Sequence, residues 1–291
     1  MRKASIWAID TVIFLAACAS PHLPTPVTPE SIPSSQLQIK PTEISTKSWR
    51  FNFQNQLHTY TSITQSTFQS NSDSFPASDT LFTTLHFSIL ARRFQTLDSI
   101  TGHIDHAQLT TGTRIHTEQQ FLKRSLEFTG ISTSSRLTLS LLSAESNQSP
   151  CDSLTYSYLG ELHSGIFFLP QHLQTTTTWT DTLSTIQCSG SKLPSNVESI
   201  RTYQVQGEDI NTHLLLITRT EAINVTGTGS QGEHRVNLSA QGTGASKIFL
   251  DPQTGTVHLI EANQRFSIVI FTSGQIHHFT QETKQTLNLI N

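Results

Sequence analysis

His103, Asp105 and His106 form the densest group of metal-binding side-chain types in the chain. A zinc site draws three or four such ligands to about 2 Å from one point. On an extended strand successive side chains alternate between faces, so His103 and Asp105 share a side and His106 takes the other. All three converge only if a bulge intervenes. His277 and His278 face opposite ways for the same reason, and the other histidines are scattered over polar stretches. The spacing therefore predicts no metal site.

Two other patterns fail on context. Gly227-Thr228-Gly229-Ser230-Gln231-Gly232 spells G-x-G-x-x-G, but the dinucleotide reading needs a helix N-terminus to hold a pyrophosphate. A strand-like His234-Arg235-Val236-Asn237-Leu238 follows instead, so the glycines read as a hairpin loop, and Gly242 and Gly244 as a strand break or bulge. Ser189-Gly190-Ser191-Lys192 fits S-x-x-K, in which the serine opens a helix that places the lysine one turn on. Gly190 and Pro194 oppose a helix, and the companion S-D-N and K-T-G motifs do not occur. With no G-x-S-x-G, H-E-x-x-H or EF-hand loop either, no catalytic residue and no cofactor are expected, and the chain reads as non-catalytic.

The elements that would have to position any site are strands. Trp49, Phe51 and Phe53 alternate with polar residues, as do Leu57, Thr59, Thr61 and Ile63, then Leu81 to Leu90 and Leu137, Leu139 and Leu141. This period of two is the strand signature. Ile100–Leu109 and Ser153–Leu159 are further strand candidates, and Glu118–Phe128 is the best helix candidate. From Ile200 the chain reads as an antiparallel meander. Asp251-Pro252-Gln253-Thr254-Gly255 is a strong turn signal, with proline at the entry and glycine where φ must be positive; Thr272-Ser273-Gly274 is a second. On Leu215–Val225, Arg219 and Glu221 interrupt an otherwise apolar face. The expected class is mainly β: antiparallel curved sheets forming a sandwich, a half-barrel or two packed β halves, with at most one or two short helices.

Composition supports this. Charged residues make up 13% and hydrophobic residues 35% of the sequence, so the polar surface rests on Thr, Ser and Gln, which suit half-exposed strands. The formal net charge of −3 lacks the clustered basic surface that nucleic acid requires.

The chain opens with basic Arg2 and Lys3, an apolar run from Ile6 to Leu15 broken by Asp10 and Thr11, and small residues before Cys18. This is the layout of a secretory signal, too short to span a bilayer. At Leu15-Ala16-Ala17-Cys18 it resembles the lipobox of bacterial lipoproteins. The resemblance implies a signal peptide over 1–17 and lipid on Cys18, and Ala19 in the second mature position favours the outer membrane. Asp10 departs from the pattern, and an ordinary signal cut near Ala17 or Ala19 is the alternative. Cleavage would remove two positive charges and one negative, taking the net charge to −4. Residues 18–47, with Pro21, Pro24, Pro26, Pro29, Pro33 and Pro41 among Ser and Thr, read as an extended tether. Residues 48–150 read as a first β half and 151–291 as a second. In an exported setting Cys151 and Cys188 are expected to form a disulfide, closing a loop of about 37 residues for roughly 3–4 kcal/mol in the chain-entropy model.

From Tyr158 through Trp179-Thr180-Asp181-Thr182 to Leu250–Gly255 the second half resembles uncharacterised secreted bacterial lipoproteins, domains of unknown function. More distantly it is similar to the lipoprotein-localisation and lipid-carrier folds, whose concave apolar face holds acyl chains. The resemblance transfers no site residue. Two readings follow. One is an envelope lipoprotein binding a lipid or other apolar ligand, with a cavity of a few hundred Å³ or more. The other is a structural or interaction lipoprotein with a filled core, meeting an envelope protein through its surface. An exported hydrolase ranks third. In each the partners are the membrane, through Cys18, and a ligand or envelope protein, with no nucleic acid.

Overall fold

The computed structural model describes residues 47–53, 55–70, 78–94, 97–111, 114–117, 126–133, 136–141, 162–189, 193–231 and 234–290. They are nearly all strand. In chain order these are β1 (Ser48–Arg50), β2 (Leu57–Ser70), β3 (Ser78–Phe94), β4 (Leu97–Thr111), β5 (Arg114–Thr117), β6 (Leu126–Thr133) and β7 (Arg136–Leu141), then β8 (His172–Gln174), β9 (Thr178–Ser189), β10 (Leu193–Glu208), β11 (Leu215–Gln231), β12 (His234–Leu250), β13 (Val257–Thr272) and β14 (Gln275–Leu289).

Eleven of these strands close on themselves in the order β2-β3-β4-β6-β7-β9-β10-β11-β12-β13-β14, with β14 returning to β2. The expectation of a mainly β fold is met, in the form of a barrel-like ring. β5 lies outside it, paired to the end of β4. Every neighbouring pair is antiparallel except β7 and β9, which run parallel. Parity demands this: a ring with an odd number of strands cannot alternate direction throughout.

The meander is built as its turn residues specify. In the β12–β13 hairpin Asp251 Oδ1 accepts the amides of Gln253 and Thr254, both at 2.7 Å. Gly255 takes the left-handed φ of 72° that closes the loop. Ser273 and Gly274, at φ 52° and 79°, supply the paired positive angles of a type I′ turn between β13 and β14. We call the end holding the β12–β13 hairpin the base, and the end holding β13–β14 the mouth.

Two expectations are corrected. Within the helix candidate Glu118–Phe128, residues 118–125 lie outside the described residues, while Leu126–Phe128 open β6 against β4. The correction reaches only those three residues, which pair in turn with Ile104, His103 and Gly102 of β4. Among the described residues the only helix is a single 3₁₀ turn, Leu162–Ser164. Gly242 and Gly244 neither break nor bulge β12; both sit in uninterrupted register between β11 and β13. The strand candidate Ser153–Leu159 lies outside the described residues, as do the signal, Cys18 and the tether through residue 46.

Asp251 illustrates how a turn ties stability to pH. Burial raises its pKa, but the Thr254 and Gln253 amides outweigh that and hold it below the ordinary 3.8. Its contribution is therefore complete above that value and is lost as pH falls through the depressed folded value. Replacing Asp251 by Ala should cost about 1 kcal/mol in urea unfolding at neutral pH. The difference from wild type should shrink once the pH is well below the ordinary aspartate range; an undiminished difference there would contradict this account.

Candidate functional site

The inward faces of β9–β14 and β2 stack in rows along the barrel. At the base, Val205, Ile217, Ile248, Ile260 and Leu287 form an apolar row with Leu85 and Ala107 across the ring, and Leu215, Leu250, Tyr60, Phe87 and Ile104 form the next. A cap covers this end. β1 pairs with β8 to bury Trp49 and Leu173, and the Asn52 amide reaches Gln253 O at 2.7 Å.

From the cap the segment 162–171 enters the lumen as a plug, with Leu162, Ser164, Ile166 and Leu169 buried. Irregular backbone inside a barrel needs donors for its carbonyls, and two arginines from the wall supply them. Arg201 donates from Nη1 to Ile166 O at 2.9 Å, and Arg219 from Nη1 to Ser164 O at 3.1 Å. Arg201 and Arg219 are 0% and 1% exposed, so each requires compensation. Asp181 meets Arg201 in a two-pronged pair at 2.6 and 2.8 Å, and also accepts Tyr203 OH and the Phe168 amide. Glu221 lies 4.0 Å from Arg219 and accepts from Ser199 and Gln264. Two positive and two negative side chains thus form a charge-balanced layer, in which the buried Arg219 Nε alone makes no hydrogen bond. Burial works to lower the Arg201 pKa; Tyr203 and Asp181 more than offset this, and it rises above the ordinary value. Burial also pushes the Tyr203 phenol up, so it stays protonated and donates.

This layer continues around the ring as hydroxyls and amides. Ser66 bonds Thr283 at 3.0 Å, Gln281 donates to Thr283, and Gln285 to Ser62. Glycine makes room for it: a Cβ on Gly244 would collide with the Glu221 side chain, its Cγ 2.7 Å away.

Above the charged layer the inward face becomes apolar again. Leu193, Val236, Leu238 and Ile270 pack with Val225, Ile268 and Phe279, and Phe68 and Phe266 lie just below. Val225, Phe266, Ile268, Phe279 and Phe68 lie at inward positions yet are only partly buried. Gly242 lets the Phe266 ring lie flat against the wall; a Cβ there would meet its Cε1 at 2.6 Å. Many outward positions of the same strands are polar, among them Asn196, Glu198, Thr202, Thr220, Asn224, Gln241, Thr243, Arg265, Glu282 and Lys284, while Ile63, Ile186, Ile200, Phe271 and Ile276 are exposed apolar residues on that side. No helix among the described residues is long and apolar enough to cross a membrane.

The residues singled out by spacing fare differently. The bulge that His103, Asp105 and His106 required is present: His86 pairs with His106 and Phe87 with Ile104, which leaves Asp105 unpaired. His103 Nε2 is 3.1 Å from Asp105 Oδ1, and Ser88 donates to Asp105. The His86 and His106 rings lie 5.6 Å apart, tilted by 46°. Even so, no group of three or more His, Cys, Asp or Glu among the described residues is arranged to hold a metal. His277 faces the lumen and His278 is exposed, on opposite faces. Gly227 and Gly229 finish β11 in register with β12, and Ser189 ends β9 paired with Leu193 of β10, so the described residues of both motifs are strand. Cys188 pairs with Pro194; Cys151 lies outside the described residues, and so does the proposed bridge. Arg201 and the plug escaped sequence reasoning. The single available signal was Arg219 and Glu221 on an apolar strand face.

No protein-family model matches the chain, and no curated protein matches it. The chain shows a likeness to the crystal structure of OpdQ from Pseudomonas aeruginosa, with 8% identity over 80% of this chain and 98% of that one, at a TM-score of 0.21.

Breaking the central pair should be severe. Asp181→Leu leaves Arg201 charged and buried, and should cost about 3–5 kcal/mol. Adding Arg201→Met should recover part of that loss in urea unfolding. If the double variant is less stable than Asp181→Leu alone, the pair does not act as described.

Proposed function

We propose that this protein is an exported, membrane-tethered envelope lipoprotein whose barrel takes up an apolar ligand in the lumen between the charged layer and the mouth. The observation that carries this reading is the set of inward yet only partly buried apolar side chains, Val225, Phe266, Ile268, Phe279 and Phe68. Inward positions of a barrel that encloses no ligand are filled by their own side chains. Here the inward side chains of the lower rows are fully buried, and those near the mouth are only partly so. The polar residues of the outer wall fit a domain held in water beside a membrane, and the Leu15–Cys18 resemblance supplies the tether.

A second reading keeps the tether and assigns the activity to the surface. It is favoured by the close packing of the base, where Leu85, Phe87, Ile104 and Leu287 have no exposed surface. The two readings separate in one experiment. The purified mature protein should enhance the fluorescence of N-phenyl-1-naphthylamine saturably, and extracted envelope lipids should compete. Gly242→Val, which drives the Phe266 ring into the lumen, should weaken that binding at least several-fold while leaving the unfolding midpoint within a few degrees. Absence of saturable binding would favour the surface reading.

The anchor is tested separately. Cys18→Ser, expressed with its own signal, should move the protein from the membrane fraction to the soluble one. Retention in the membrane fraction would overturn the lipobox reading.

A further inference from the structure

The base holds a second space, away from the lumen above the charged layer. A half-open cavity of about 110 Å³ lies where the cap, the plug and the rim of the barrel meet, lined among others by Phe53, His58, Tyr60, Ile89, Ile166 and Val257. Its walls come from separate parts of the chain: the segment after β1, the starts of β2 and β13, the edges of β3 and β4, and the plug. None of its lining residues is Asp, Glu, Lys or Arg. His58 is held below its ordinary pKa by burial, with His258 adding to the effect, so the lining carries no formal charge at neutral pH.

One polar group in this wall is unused. Tyr60 is 6% exposed, and its ring is fixed by stacking on Phe87 with centroids 5.6 Å apart. Its hydroxyl makes no hydrogen bond with any described residue. Tyr60 shares this wall with Gln56, His58, Thr254 and Thr256 among apolar side chains. A space with apolar walls and a few polar groups is the arrangement of a small-molecule site, in which the apolar surface gives affinity and the polar groups give orientation. The volume is close to the ~150 Å³ of an apolar cavity that takes up benzene.

We infer that the cavity at the base binds a small neutral molecule, a six-membered ring or a short branched chain bearing one hydroxyl or carbonyl oxygen, which hydrogen-bonds to the Tyr60 hydroxyl. A ligand there touches cap, plug and rim together, so it stabilises the closed base. The site is independent of lumen binding near the mouth, and the proposal does not rest on that reading.

The test uses the full mature chain, with phenol and cyclohexanol as neutral probes, toluene as the probe without oxygen and benzoate as the charged one. Phenol and cyclohexanol should bind saturably by calorimetry and raise the melting temperature, whereas benzoate should do neither. Tyr60→Phe removes only the unpartnered hydroxyl and should leave the fold intact. It should weaken phenol binding by roughly 3- to 10-fold and leave toluene binding unchanged. Val257→Phe, which fills the space, should abolish binding of all the neutral probes, while Gly242→Val at the mouth should leave it intact. Absence of saturable binding by either oxygen-bearing probe overturns the proposal. So does phenol affinity that Tyr60→Phe leaves unaltered, or that Gly242→Val removes.

Discussion

The Asp181 carboxylate is the point on which the interior depends. It accepts two bonds from Arg201, one from Tyr203 and one from the Phe168 amide. Behind this lies a geometric constraint. A ring of eight strands is just wide enough for side chains to fill, and eleven leave a surplus. The chain fills the base with its own segment 162–171, and such backbone brings carbonyls that no ladder satisfies. Arginines long enough to reach across the lumen answer them, and buried arginines need counter-charges. Strand number, plug, cation and anion form one chain of necessity. The pair is a requirement of that arrangement more than a source of stability, since a buried ion pair gains little over well-packed apolar residues.

How much of this could be read beforehand depends on the range of the interaction. Period-two alternation is local, so Leu81–Leu90 and the meander from Ile200 were legible as strands, and Asp251–Gly255 as a turn, because each residue's role there is set by its neighbours. Ring closure is not local. Tyr60 to Ser70 meets Phe279 to Leu289 across more than two hundred residues, and nothing in either stretch names the other. The plug was hidden for the same reason: Leu162–Gln171 has no periodicity, and its partners Arg201, Arg219 and Gln285 come from three separate strands. Arg219 and Glu221 were visible as an anomaly on an apolar face. Such an anomaly resolves only when the opposite wall is known.

The group at His103 shows the limit of alternation as a rule. Strict alternation sends His106 away from His103 and Asp105, yet one extra residue in β4 brings them to the same outward face while Ile104 and Ala107 both stay buried. The bulge is explained by the core: two apolar residues three apart both gain burial, which a regular strand would deny to one of them. The polar side chains are carried along, and Asp105 is met where it lands by His103 and by the Ser88 hydroxyl.

The glycines of β12 carry a similar lesson about the lumen. In a strand interior glycine weakens the ladder and packs nothing, so Gly242 and Gly244 must be offset by what they admit. Gly244 admits the Glu221 carboxylate and so completes the charged layer; Gly242 admits the Phe266 ring and so keeps the space above that layer clear. Two residues apart on one inward face, they serve opposite ends, one filling the barrel and the other keeping it open. A barrel selected only for a solid core would gain by placing an apolar side chain at Gly242. The wall is instead thinned where an aromatic ring can lie against it, directly beneath Ile268 and Phe279. A side chain at Gly242 would displace that ring, so the glycine and the aromatic residue are fixed together.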